Sequence, residues 1–298
     1  MMFCSFEQPG TCFASNCLVT HSRKNSLPRA QSLVFASLLA LAFSCSAHSQ
    51  NADRDVDHSL PDAPQPQTQA PQAHATDDDE RVTLHNTPSR ILHDQGAIWT
   101  SPLRTRPHDL EWELPLLLAT GAAIATDHQA MNAAPHDPRF NHENVVASDI
   151  LVGGFIAAPV LLFAKGQYHA DPHARETGIL GSESILDGLV VEQGMKLIFW
   201  RERPAVDSGR GRFFQTSVGI DSSFPSSHTV LTWSSAAVLA DEYPSRWKQF
   251  GIYTLAAGVS LTRVLGQQHF PSDVLVGSAA GWLVGHYVYR KHHRFRRP

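Results

Sequence analysis

The stretch Arg263–Asp273, "RVLGQQHFPSD", decides how this chain is read. It breaks a region of alanine, leucine, valine and glycine with an arginine, a histidine after five intervening residues, and an aspartate four positions beyond. Pro271 and Ser272 have the form of a helix start, since proline is tolerated in a first turn and serine satisfies free N–H groups there. His269 then falls just ahead of a helix and Asp273 in its first turn. That spacing lets the carboxylate reach the Nδ1 proton of His269, which fixes the tautomer and leaves Nε2 free to attack. Arg263 closes the preceding apolar run as a planar fork suited to two phosphate oxygens. By itself a His–Asp pair is more often structural than catalytic.

Two stretches upstream raise the same question. In "KLIFWRERP" (Lys196–Pro204) the seven-residue separation of Lys196 and Arg203 is nearly two helical turns, so the spacing predicts both cations on one face beside a helix end. A Lys and an Arg in such a place commonly do no more than oppose the helix dipole. In "SFPSSHT" (Ser223–Thr229) the serines open an apolar helix. Ser226 and Ser227 offer hydroxyls and free N–H groups where an oxyanion of phosphate can sit, or they serve only as N-caps. Capping does not call for His228, a titratable group carried into the first turn.

Read together, three cations, two serines at a helix start, two histidines and a carboxylate supply what phosphoryl transfer needs. In this reading Lys196, Arg203 and Arg263 hold the phosphoryl oxygens, with Ser226 and Ser227 beside them. His269 attacks phosphorus, and His228 protonates the departing alkoxide and then activates water. The ordered triple Lys-x6-Arg-Pro, Pro-Ser-x-His and Arg-x5-His-x3-Asp, spread over about residues 179–290, resembles the type 2 phosphatidic acid phosphatase superfamily, which includes bacterial acid phosphatases and vanadium haloperoxidases. The resemblance implies an all-α helical bundle with its site at helix ends, and hydrolysis of phosphomonoesters through a phosphohistidine with no cofactor and no metal. It also implies these roles for His269, His228, Asp273, Lys196, Arg203, Ser226, Ser227 and Arg263. The chain departs from the family at Ser227, where glycine is usual, and at Thr262, where serine is usual. The added Cβ of Ser227 stands where backbone should approach phosphate.

Composition frames the rest. The 298 residues carry a formal net charge of -4 and 42% hydrophobic residues, enough for a core and with no global pull toward nucleic acid. No protein partner is inferred. A basic stretch, an apolar run "SLVFASLLALAFSCSA" and a small-residue site at Ala47–Ser49 read as a signal peptide over 1–49, and all four cysteines lie within it. Residues 50–109, with "LPDAPQPQTQAPQAHATDDDE" at their centre, read as a flexible tether. The catalytic domain is expected at 110–290 and a basic tail at 291–298.

Apolar runs at 114–126, 145–164, 179–199, 229–240, 249–265 and 274–289 predict about six helices. Their stretches free of charge are shorter than the roughly 20 residues that a span requires. Two readings follow: an inner-membrane bundle whose site faces the periplasm, with 114–126 lying along the interface, or a soluble exported bundle. The substrate is accordingly a lipid phosphate or a small phosphomonoester. The rival activities are a vanadate-dependent haloperoxidase and a non-catalytic lipid-binding membrane protein. His128, His136, His142, His169 and His173 are candidate zinc ligands in principle, but their Pro-rich polar surroundings read as loop histidines facing water.

Overall fold

Aspartate, serine and proline mark most of the helix starts. The structure, a computed structural model, describes residues 82–206, 209–215, 217–218 and 221–294. Among these, seven α-helices occur and no strand: α1 Thr87–Thr100, α2 Leu110–Ala133, α3 Pro138–Tyr168, α4 Pro172–Phe199, α5 Ser227–Glu242, α6 Arg246–Leu265 and α7 Pro271–His292, with a 3-10 turn at Ser101–Arg104. At the start of α3, the Asp137 side chain accepts from the N–H groups of Arg139 and Phe140, and Asp171 caps α4 through Ala174 N. A proline follows each aspartate, where its missing N–H costs nothing. All six expected helices are present, each longer than its apolar run, because capped polar turns extend the ends.

The expected signal peptide, the cysteines and residues 50–81 of the tether lie outside the described residues, as do 295–298 of the tail. The tether reading is corrected beyond Thr87. There α1 forms and is held by ion pairs: Arg90 donates to the buried Glu183 of α4 at 2.9 Å from Nε and 2.5 Å from NH2. The buried Asp94 accepts from Lys291 at 2.6 Å and meets His292 at 2.7 Å. Sparse apolar content hid this helix, because ion pairs hold it alongside a small apolar contact of Ile98 and Trp99.

Helix α5 is the centre of the bundle and is buried along most of its length, packing against α3, α4, α6 and α7. Its approach to α7 is set by three glycines four residues apart. A Cβ on Gly277 would lie 2.2 Å from Thr229 Oγ1, one on Gly281 2.4 Å from the Val230 carbonyl oxygen, and one on Gly285 2.3 Å from that of Ser234. Small residues at this period let two backbones touch, and the contact sets the starts of α5 and α7 side by side. Leu180, Val191, Val238, Val284 and Val288 form the apolar cluster between α4, α5 and α7.

Large apolar side chains also face outward: Leu114, Leu117 and Leu118 on α2, Ile150, Val160 and Leu161 on α3, Leu197 and Ile198 on α4, Phe250, Leu255 and Leu261 on α6. Among the described residues, α3 alone has both the length and the apolar composition to cross a membrane. Helix α2, which contains the run expected along an interface, is 24 residues long. At 1.5 Å per residue it extends about 36 Å, more than a bilayer's hydrocarbon core.

Gly281→Ala is expected to lower the melting temperature, although alanine raises helix propensity by about 1 kcal/mol. Gly121→Ala, on the open face of α2 where a Cβ meets nothing within 4 Å, is expected to raise it. Thermal unfolding of the pair in detergent checks both signs.

Candidate active site

The end of α4, the start of α5, the end of α6 and the start of α7 meet at one end of the bundle and carry all eight expected residues. Helix α4 stops at Phe199 because Trp200 takes a left-handed conformation, φ 37°. Arg203 is therefore not on the helix face of Lys196, as its spacing predicts. It enters the site from the loop that follows, where Nε donates to the Asp221 carbonyl at 3.2 Å and NH1 to that of Gln268 at 3.4 Å.

The turn at Trp200 puts Arg201, which the sequence reading passed over, at the centre. Its guanidinium is 1% exposed and lies between the rings of Phe213 and Phe270, 4.5 and 4.2 Å from their centroids. NH1 donates to Asp273 Oδ1 at 2.5 Å and to Ser272 Oγ at 2.6 Å, NH2 to Asp127 Oδ2 at 2.6 Å, and Nε to the Gly211 carbonyl at 3.1 Å. Gly211 is needed here: its φ is 60°, and a Cβ would stand 2.5 Å from the Phe270 ring.

This network changes the part expected of Asp273. Its Oδ2 accepts from Ser223 Oγ and from the Phe270 N–H, closing the first turn of α7, and lies 3.7 Å from His269 Nδ1. The Nδ1 proton of His269 goes instead to the Ser223 carbonyl at 2.9 Å. A carbonyl only accepts, so Nδ1 carries the proton and Nε2 is bare. The expected tautomer is present, held by backbone that Asp273 positions.

His269 is 1% exposed. Burial, first, and then the positive charges of Arg203, Arg263 and Lys196 and the neighbouring His228 hold its pKa well below the ordinary value of 6.5. Residues far apart in sequence thus bear on one imidazole. Arg263 is fixed at NH1 by Ser148 Oγ at 3.1 Å and Asp149 Oδ1 at 3.4 Å, and its buried Nε has no partner among the described residues. Ser226 Oγ is likewise buried without a partner. Ser227 Oγ is occupied by Lys196 at 2.9 Å and Glu192 at 2.6 Å. His228 Nε2 meets Asp149 Oδ1 at 2.9 Å.

Sequence reasoning thus missed Asp127, Asp149, Glu192 and Arg201. Only Glu192 left a local sign, four residues before Lys196 on the same helix. The others act across 50 or more positions of sequence, except Arg201, which stands beside a motif arginine that drew the attention.

Two carboxylate–imidazole groups have ligand atoms within 4.8 Å of one another, Asp94 with Glu183 and His292, and Glu176 with Glu242 and His293. Both lie toward the opposite end of the bundle and are engaged in ion pairs. His173, expected in water, is half-buried and bonded to the buried Glu242 at 2.9 Å, while His128, His136, His142 and His169 are exposed.

The model of the PAP2 superfamily matches residues 179–297, a segment that contains all eight expected residues. Over that segment the chain is similar to the PAP2 superfamily. A lipid A 1-phosphatase of Porphyromonas gingivalis is 39% identical over 69 residues, 22% of this chain and 16% of the relative's length. A transmembrane PAP2-type phosphatidylglycerolphosphate phosphatase from Bacillus subtilis is 18% identical, with a TM-score of 0.41 over 71% of this chain and 100% of that one. Outside the PAP2 segment, α2 and α3 supply Asp127 and Asp149, which complete the site from the other half of the described chain.

Two measurements follow. Arg201→Lys is expected to destabilise by about 3 kcal/mol or more, because a single ammonium leaves Asp127 or Asp273 buried without its partner; denaturant unfolding reads this. His269, depressed in pKa, stays neutral through pH 6.5, where an ordinary histidine is half protonated. An imidazole NMR titration of the free protein giving a midpoint at or above that value contradicts the burial argument.

Proposed function

We propose that the protein is a phosphatase that hydrolyses phosphomonoesters, lipid phosphates above all, through a phosphohistidine at His269. The observation that carries the reading is the bare Nε2 of a buried, neutral His269 surrounded by three cations, with the buried Arg263 Nε and Ser226 Oγ left unpartnered. Buried donors are normally satisfied, and a phosphoryl group accepts from both.

In the first step Nε2 attacks phosphorus, the bond to the ester oxygen breaks, and His228 gives that oxygen a proton. In the second, His228 takes a proton from water, the hydroxide attacks phosphorus, and the P–N bond breaks to release phosphate. Asp149 holds His228 at one ring nitrogen and leaves the other for this proton. Lys196, Arg203 and Arg263 stabilise the equatorial oxygens throughout.

A lipid substrate is supported by the outward apolar side chains of α2, α3, α4 and α6, and the Porphyromonas gingivalis relative is a lipid phosphatase by name. Lys165, Arg175, Arg246, Lys248, Arg290 and Lys291 gather at the end of the bundle remote from the site. That distribution supports a cytoplasmic basic end and a periplasmic active site in an exported, membrane-bound protein.

His269→Ala is expected to lower phosphate release by about a thousandfold or more, and alkaline quenching of wild type during turnover of a labelled lipid phosphate should retain label on the protein. Turnover by His269→Ala at the wild-type rate overturns the proposal.

A further inference from the structure

Lys196 is not a free cation in this site. Its ammonium donates to Glu192 Oε1 at 2.7 Å and to Ser227 Oγ at 2.9 Å, and the Ser227 hydroxyl donates to the same Glu192 oxygen at 2.6 Å. Glu192 is fully buried, and its other oxygen accepts from Gln193 Nε2 at 2.7 Å. An ammonium has three protons. Two are committed within the protein, so one remains for a ligand, and its direction is set by the other two. The Ser227 hydroxyl is also spent: its proton faces Glu192 and its lone pair faces Lys196. It therefore cannot donate to phosphate as the sequence suggests. A buried carboxylate 2.7 Å from the ammonium also offsets much of its charge toward any anion.

We propose that Glu192 and Ser227 are positioning residues that restrain Lys196, setting how tightly the cradle holds the phosphoryl group and its phosphate product. The inference rests on the anion-site reading above and deepens it. Glycine at position 227 leaves the lysine an unshared proton; serine here ties that proton to the restraint. The site consequently binds phosphate more weakly than its three cations alone would, which favours release of the product after each turnover.

The probe is inorganic phosphate, read as thermal stabilisation of the detergent-solubilised full chain and as competitive inhibition of phosphomonoester hydrolysis. Glu192→Gln keeps an acceptor for Lys196 but removes the charge. Ser227→Gly removes the second tie. Each is expected to tighten phosphate about tenfold and to lower KM with it, the size of one hydrogen bond to a charged group. Ser227→Thr, which restores the hydroxyl, recovers most of what Ser227→Gly changes. In a Lys196→Met background Glu192→Gln is expected to have no effect on phosphate affinity, as an action through the lysine requires. Unchanged or weaker phosphate binding in both single variants overturns the proposal, and so does tightening that persists without Lys196. If Glu192→Gln fails to fold, Ser227→Gly decides alone. Should wild type show no response to phosphate at all, the anion-site reading itself falls, and this inference with it; that outcome is separate from one in which wild type binds and the variants match it.

Discussion

A single buried guanidinium holds the site in register. Arg201 joins α2 through Asp127, α7 through Ser272 and Asp273, and its own loop through Gly211, while two phenyl rings cover its faces. One positive charge against two carboxylates is not enough in a dry interior. The balance is completed by hydrogen bonds from Ser223, Ser272 and the Phe270 N–H. Every one of these belongs to the segments that carry His269 or face it. The orientation of His269 is thus a consequence of a charge network that its imidazole does not itself join.

Around that centre the site is built as nested pairings of charge. Asp149 spans His228 and Arg263, Glu192 and Ser227 hold Lys196, and Arg203 is anchored, among the described residues, by two carbonyl oxygens. Each cation needs a partner to remain charged when buried, yet each partner reduces what the cation offers a phosphate. The arrangement resolves this by leaving specific donors open, Arg263 Nε and one proton of Lys196, rather than whole side chains. The close seam of α5 on α7, possible only with glycine at 277, 281 and 285, makes the serines of one helix start adjacent to the histidine ahead of the other.

Much of this was legible beforehand for a definite reason. Residues fixed by local backbone geometry reveal themselves by short spacing: Pro271 and Asp273 at a helix start, Arg263 in a last turn, Ser226 and Ser227 where α5 begins. The six apolar runs likewise mark six helices. What spacing misjudged was Arg203, because the left-handed turn at Trp200 ends the helix between it and Lys196. It also misjudged α1, which docks through the ion pairs of Arg90 and Asp94 and a small apolar contact of Ile98 and Trp99, and the direct Asp273–His269 bond, which the Ser223 carbonyl replaces.

The sequence by itself determined the helical class, the order of the six apolar helices and eight of the groups that gather at their ends, since these follow from periodicity and from capping rules acting over a few residues. Tertiary structure alone decided which arginine is held between two carboxylates and which leaves a donor open, that Asp127 and Asp149 come to the site from outside the PAP2 segment, and that Ser227 bonds to Lys196. Those outcomes depend on desolvation and charge pairing between groups brought together by packing. Such energies arise from three-dimensional distance and burial, neither of which position along a chain encodes.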